Sequence, residues 1–198
     1  MGIPFGNNYF RTGFFSGNGF GENSLNAAEA IYLNHIDPIK HRMKSCIYRI
    51  VQNPEDTADA FQDALFKIWN YLERIDKHPN PQAYILSICV TSAHDLLRKR
   101  IRQSRNETTL SHEISISSEQ RPGYTREIVS IIHQAIATMS IQQAQAVFLR
   151  LFENESYTSI GEVLGCKEET ARSHVSKGLS QLRTILVDKK ISLNEVYS

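Results

Sequence analysis

Asn80-Pro-Gln-Ala-Tyr84-Ile-Leu-Ser-Ile88-Cys-Val-Thr-Ser-Ala93-His-Asp-Leu-Leu97-Arg-Lys-Arg-Ile101-Arg-Gln-Ser-Arg105 is the stretch that decides the fold. Asn80-Pro81 reads as a helix start, because Asn accepts hydrogen bonds from free amides and Pro fits the first turn. Apolar residues then recur at Tyr84/Ile85, Ile88/Cys89, Ala93, Leu96/Leu97 and Ile101, the spacing of one helical face. Helical to Ile101, the segment is about 33 Å long at about 1.5 Å per residue. Its far end carries Arg98, Lys99, Arg100, Arg102 and Arg105, with no acidic residue from Leu96 to Arg105. One end is buried core; the other is a cationic rod suited to a phosphate backbone. Taken alone, the rod is equally a solvated helix end whose cations favour the macrodipole.

Upstream, Asn26-x-x-Glu29 resembles a capping box, and Ile31, Ile36, Ile39, Met43, Ile47 and Ile50 form a buried stripe that Asp37-Pro38 breaks or kinks. Asn53-Pro54-Glu55-Asp56 opens the most regular helix, with Ala60/Phe61, Ala64/Leu65, Ile68/Trp69 and Leu72 repeating every turn. Asp59, Gln62 and Asp63 fall off that stripe, and periodicity alone makes them a solvated face. A loop is expected from Glu73 to Asn80. Residues 24–102 then form a first domain of three packed helices. Residues 1–23 are rich in Gly, Phe and Asn without helical or strand period, and read as a flexible arm. Residues 103–123, rich in Ser, Thr, Asn, Glu and Gln, read as a linker.

A second domain is expected over residues 124–187, before a tail at 188–198. Ile128, Ile131/Ile132, Ala135/Ile136 and Met139 mark one helix, and Ser140-x-x-Gln143 is a capping box for the next. Ser156 starts a short helix that Gly165 stops, and Glu168-Glu169 opens a longer one. Short helix, Gly turn, longer helix is the helix-turn-helix arrangement. Thr170, Arg172, Ser173, His174, Ser176 and Lys177 point outward from the second helix. Arg meets guanine with two hydrogen bonds, Ser and Thr read several base edges, and Lys meets phosphate. The fold class is therefore all-α: two small helical domains joined by a flexible linker, the second a four-helix helix-turn-helix domain.

Composition narrows the function. The net charge is +1, so nucleic-acid affinity has to come from locally segregated cations. No run of about 18 apolar residues predicts a membrane span, and no basic start with an apolar core predicts a secretory signal. Cys46, Cys89 and Cys166 are odd in number and widely spaced, as expected of core residues in a reducing cytoplasm. The seven His form no His-x-x-x-His pair and have no Cys partner at metal-site spacing, so no metal or other cofactor is expected. No phosphate-cradling Gly loop or nucleophile elbow is present, and an enzyme is not expected.

Several of these blocks resemble the bacterial sigma factors of RNA polymerase, of the extracytoplasmic-function (ECF) type. Asp59-Ala-Phe-Gln62-Asp63-Ala-Leu65-Phe-Lys-Ile-Trp69 is similar to that family's Asp-x-x-Gln-(Asp/Glu)-x-Phe-x-x-x-Trp helix. Tyr84-Ile85 through Asp95-Leu-Leu-Arg98-Lys-Arg100 resembles its promoter-melting stretch, and Ser156 to Arg183 its minus-thirty-five-reading domain. The resemblance implies that Asp59, Gln62, Asp63 and Leu65 bind core RNA polymerase, whose largest and second-largest subunits are the expected partners. It implies that Lys77, His78, Asn80, Tyr84, Thr91, Arg98, Lys99, Arg100 and Arg102 meet the minus-ten element and melted DNA, with the 76–80 loop holding a flipped base. Promoter DNA and an anti-sigma protein are the other partners implied, in the cytoplasm. The chain departs from the family pattern at Tyr84 (usually Trp), Thr91 (usually Asn), Val90, Lys167 and His174. An autonomous helix-turn-helix repressor or activator is the alternative, and it leaves the acidic Asp59 face without a task.

Overall fold

The computed structural model describes residues 22–107 and 133–188; the N-terminal arm to residue 21, residues 108–132 and the tail from residue 189 lie outside the described residues. Every regular element described is helical. Helix α1 (Glu22–Ile31) runs into a π-helical turn at Tyr32–Ile36 and a 3₁₀ turn at Asp37–Ile39, before α2 (Lys40–Val51). The break falls at Pro38, as expected: a proline lacks the amide that would continue the ladder, and the chain adjusts by changing helical pitch. Asn26 is not the cap expected of it, since the helix is already formed from Glu22.

Gln52 closes α2 in a left-handed conformation (φ 50°), and extended Asn53 starts α3 (Pro54–Asn70) by accepting a hydrogen bond from the Asp56 amide at 3.0 Å. Ala60, Ala64 and Ile68 are the buried stripe of α3. The segment expected as a loop from Glu73 instead begins with a short helix, α4 (Leu72–Asp76). Leu72 and Ile75, three residues apart, are both buried, which gives the turn a core-facing side.

Helix α5 (Pro81–Glu107) is the centre of the molecule. Asn80 caps it, its Oδ1 accepting from the Ala83 amide at 3.0 Å. It continues past Ile101 to Glu107, so residues 103–107, expected as the start of the linker, are helical. The expectation of one buried face also needs correction. Residues from Ala83 to Val90 are all buried, because α2 and α3 cover one side of the helix and the second lobe covers the other.

That lobe comprises a helical segment α6 at 133–138, α7 (Ile141–Leu151), α8 (Tyr157–Leu164) and α9 (Glu168–Asp188). Of the apolar positions expected in α6's helix, Ile128, Ile131 and Ile132 lie outside the described residues. Ser140 and Gln143 form the complete capping box of α7. Buried residues of both lobes, from Ile36 through Leu86 to Leu149 and Val175, join in one hydrophobic cluster.

Candidate nucleic-acid and protein interfaces

The first candidate surface lies on α3. Asp59, Gln62 and Asp63 are exposed and, three and four residues apart, share one face. Lys67 pairs with Asp63 at 2.8 Å and reaches Asp95 of α5 at 3.0 Å. Partial burial works against the Asp63 charge, but its bond to Lys67 prevails and holds the carboxyl below its ordinary value. Leu65 sits at the edge of this face, half-buried against the core. Phe66 was missed in the sequence. It stands one turn beyond Gln62 and Asp63, and its side chain is 53% exposed. Its spacing of seven from Asp59 was the available signal.

The second candidate surface surrounds the start of α5. His78 stacks on Tyr84 with ring centroids 4.9 Å apart, and the Arg74 guanidinium lies over the Tyr84 ring at 5.3 Å. The His78 Nδ1 accepts from the Asn80 amide at 3.0 Å, so its Nε2 is the nitrogen left to donate. Lys77 is exposed beside them. At the other end of α5, Arg98, Lys99 and Arg102 face solvent, while Arg100 is drawn to the buried Asp56. Burial pushes the Asp56 carboxyl above its usual range, against the opposing pull of the Arg100 charge.

The third surface is the outer face of α9. Gly165 ends α8 with φ 66°, a conformation that a Cβ resists. Its amide donates to Glu162 O at 3.3 Å and that of Cys166 to Gly161 O at 2.8 Å, the paired bonds of a Schellman closure. Ala171 is fully buried where α9 crosses α8. Outward from this turn, Thr170, Arg172, Ser176 and Lys177 are exposed, and Ser173 and His174 are half-buried. Arg172 donates to Glu168 at 2.8 Å and its guanidinium lies 4.5 Å from the centre of the Tyr157 ring. The Glu168 carboxyl also accepts from Thr158 at 2.9 Å; these two donors hold it below its ordinary value.

The structure also brings the two lobes together in a way the sequence did not signal. The Asn80 Nδ2 donates to Glu155 and to the Ser159 hydroxyl, each at 3.1 Å. Gln145 of α7 donates to the Thr91 hydroxyl at 3.0 Å and to Ser87 O at 3.1 Å. His94, 1% exposed, meets Met139 O at 3.1 Å, and His78 Nε2 lies 3.4 Å from Glu162 O. Arg42 of α2 bonds Glu153 at 2.6 Å. Among the described residues no group of three His, Cys, Asp or Glu side chains could hold a metal, and no helix is long and apolar enough to cross a membrane.

Each lobe matches a known protein family. Residues 36–103 match the family described as Sigma-70 region 2, and residues 130–182 match Sigma-70, region 4. The chain is 22% identical over 166 residues to the RNA polymerase sigma factor SigV of Bacillus subtilis, covering 83% of this chain and 96% of the relative. It is 24% identical over 146 residues to the RNA polymerase sigma-H factor of Pseudomonas aeruginosa, covering 69% and 76%. An ECF RNA polymerase sigma factor SigK of a Mycobacterium species is 21% identical over 172 residues, covering 83% and 86%. Among solved structures, the sigma factor RpoE of Bartonella quintana in complex with the anti-sigma factor NepR aligns over 84% of this chain and 98% of that one, with 18% identity and a TM-score of 0.48. With both sigma-70 regions present, in order, over most of the described residues, the chain belongs to the sigma-70 family as an RNA polymerase sigma factor of the extracytoplasmic-function type.

Proposed function

We propose that the chain directs core RNA polymerase to promoters through three separate surfaces. The exposed face of Asp59, Gln62 and Asp63, with Leu65 at its edge and Phe66 extending it, binds the polymerase largest subunit. The 76–80 segment and α5 read and hold the minus-ten element. There Tyr84, 7% exposed, backs the stacked His78 ring on which an unstacked base can stack, and Asn80 and Thr91 supply hydrogen bonds to base edges. Arg98, Lys99 and Arg102 run on from these as an exposed cationic track for phosphates. Helix α9 enters the major groove of the minus-thirty-five element with Thr170, Arg172, Ser176 and Lys177 foremost. The second-largest polymerase subunit and an anti-sigma protein complete the set of partners, in the cytoplasm. The factor supplies placement and strand opening, and no catalysis of its own.

The observation that carries this reading is the exposed α3 face. An autonomous repressor needs α9 but has no task for three polar residues in register on the other lobe, within the region 2 match. The test is the double substitution Asp59→Ala/Gln62→Ala, followed by gel filtration with purified core polymerase. The variant is expected to stay folded, since both side chains are exposed, and to lose co-elution. Co-elution equal to that of the parent chain would remove α3 from the polymerase interface.

A further inference from the structure

We propose that His35 is a positioning residue for minus-ten recognition: from the N-terminal segment it braces Asp76, the residue from which the base-reading loop departs. The inference rests on the reading of the 76–80 segment as the holder of a flipped base. The His35 Nε2 lies 3.1 Å from Asp76 Oδ1, across 41 positions of sequence. Facing a carboxylate, that nitrogen is the donor. His35 stands just ahead of the region 2 match, which begins at residue 36, so the match gives it no role.

The backbone is built to place this ring. Tyr32–Ile36 is a π-helical turn, closed by the Asp37 amide on Tyr32 O, five residues back. A π turn holds one residue more than an α turn, and one residue is about 100° of rotation at about 3.6 residues per turn. Continued from α1 as a plain α-helix, position 35 would face elsewhere by about that angle. Ile36 is buried and pins the turn from inside, while His35 is left half-buried at the surface. Helix α1 itself lies against α4, so the ring reaches α4 with its own scaffold behind it.

Helix α4 needs such a brace. It is five residues long, too short for a helix to hold on its own. On its inner side Leu72 and Ile75, 7% and 0% exposed, fasten it to the core. On its outer side Asp76 is exposed, and a carboxylate at the last position opposes the helix dipole, so a donor from elsewhere stabilises it there. Neighbouring side chains on a helix point about 100° apart, so Ile75 and Asp76 held together resist rotation of α4 about its axis. The restraint is carried straight into the loop. The His78 amide donates to Ile75 O at 3.1 Å and the Lys77 amide to Glu73 O at 3.3 Å. The His78 ring, stacked on Tyr84, is the platform offered to the base. A rotated α4 shifts that platform, and with it the base that fits, while the Asp59 face of α3 and the outer face of α9 stay as they are.

The experiment uses the full chain bound to core polymerase, on a promoter mapped by run-off transcription whose minus-ten bases are changed one at a time. The readout is discrimination, the ratio of run-off from the parent promoter to run-off from each changed one. His35→Ala is expected to lower that ratio about two- to fivefold at the captured base, the reach of an exposed pair, and to leave it unchanged at minus-thirty-five positions. The exchanged pair His35→Asp/Asp76→His is expected to restore it. A loss of stability alone would lower transcription from every template alike and leave the ratios where they were. Parent ratios in His35→Ala would overturn the brace, and so would an exchanged pair that keeps its helical circular dichroism without recovering discrimination. Should the exchanged pair unfold, His35→Gln takes its place, since it keeps a donor; discrimination as poor as that of His35→Ala then counts against the brace. His78→Ala, run alongside, tests the underlying reading. If it alters discrimination and His35→Ala does not, the brace alone fails; if neither alters it, the 76–80 segment does not read the base and the brace falls with that reading.

Discussion

Gly161→Ala offers the sharpest test of how the helix-turn-helix is built. Gly161 is buried on α8, where α9 begins to cross it. A Cβ added there would stand 2.7 Å from the carbonyl oxygen of Cys166 and 3.5 Å from the Glu168 amide. Both are backbone atoms, so no side-chain rotation relieves the approach, and the turn itself has to move. The same carbonyl region closes α8, since the Cys166 amide bonds Gly161 O. Forcing a methyl into such packing costs about 1–3 kcal/mol. In a chain of this size each kcal/mol lowers the melting temperature by about 2–4 °C. Gly178→Ala is an instructive contrast. Its Cβ comes closer, 2.5 Å from a methyl of Val147, but that neighbour is a side chain and the crossing it guards is between α9 and α7. Gly165→Ala meets nothing within 4 Å and is penalised only through its φ of 66°, by about 1–2 kcal/mol. The three variants thus separate by mechanism. Gly161→Ala should lower both the melting temperature of the full chain, read by circular dichroism, and transcription that depends on a minus-thirty-five element. Gly165→Ala should lower stability with less effect on recognition. If Gly161→Ala melts within about 0.5 kcal/mol of the parent, the range of a neutral surface change, the close crossing of α8 and α9 is wrong.

Two further outcomes are expected. Burial pushes the His133 imidazole down from 6.5 to about 4, with repulsion from Arg100 adding to it, and burial lowers His94 against the pull of its bond to Met139 O. Both rings are neutral in either state above the unfolded value; as pH falls below it the unfolded chain binds the protons first, so stability is lost on acidification. For His133 the loss is about 1.4 kcal/mol by about pH 5.5, rising to about 3 kcal/mol near its folded value. Urea midpoints at two pH values check this, and a His133→Gln variant with the same acid sensitivity would discard the assignment. Arg172→Ala should cost about 1–3 kcal/mol at one base position if Arg172 leaves Glu168 to make a paired base contact. A promoter footprint unaltered by the change removes Arg172 from the reading set.

What the sequence made legible follows from what each element is in contact with. Caps are local chemistry, and Asn53, Asn80, Ser140, Ser156 and Gly165 all stand where their side chains or backbone freedom suggested. The stripe of α3 is legible because that helix has one buried side and one wet side, which leaves Asp59, Gln62 and Asp63 in plain register. Helix α5 defeats the same method. Ser87, Ser92 and His94 lie off its apolar stripe and are nonetheless 3%, 2% and 1% exposed. Polarity on a helical face predicts water, and here a second protein surface takes the place of water. The five-residue α4 is too short for any period to register, with only Leu72 and Ile75 to mark it. The helix-turn-helix was legible in outline, but not the tie between Arg172, Glu168 and Tyr157, which depends on rotamers rather than on spacing.

The seam around α5 combines an apolar interior with a polar rim. A permanent domain interface gains most from apolar burial, at about 25 cal/mol for each Å² removed from water. Buried residues of both lobes share one hydrophobic cluster, and around Asn80, Thr91 and Arg42 it is rimmed by hydrogen bonds and one ion pair, several of them partly exposed. Each such bond contributes only about 0.5–1.5 kcal/mol net, because water replaces it when the lobes part. Parting leaves no unsatisfied donor at these polar groups, but it also returns to water the apolar surface that the two lobes share. The first lobe also has an interior of its own, with Met43, Ile47, Ile68 and Ile85 at 0–1% exposure among α2, α3 and α5. The seam thus joins apolar burial along α5 to a rim of exchangeable polar bonds, and only the rim trades partners at little cost when the lobes part.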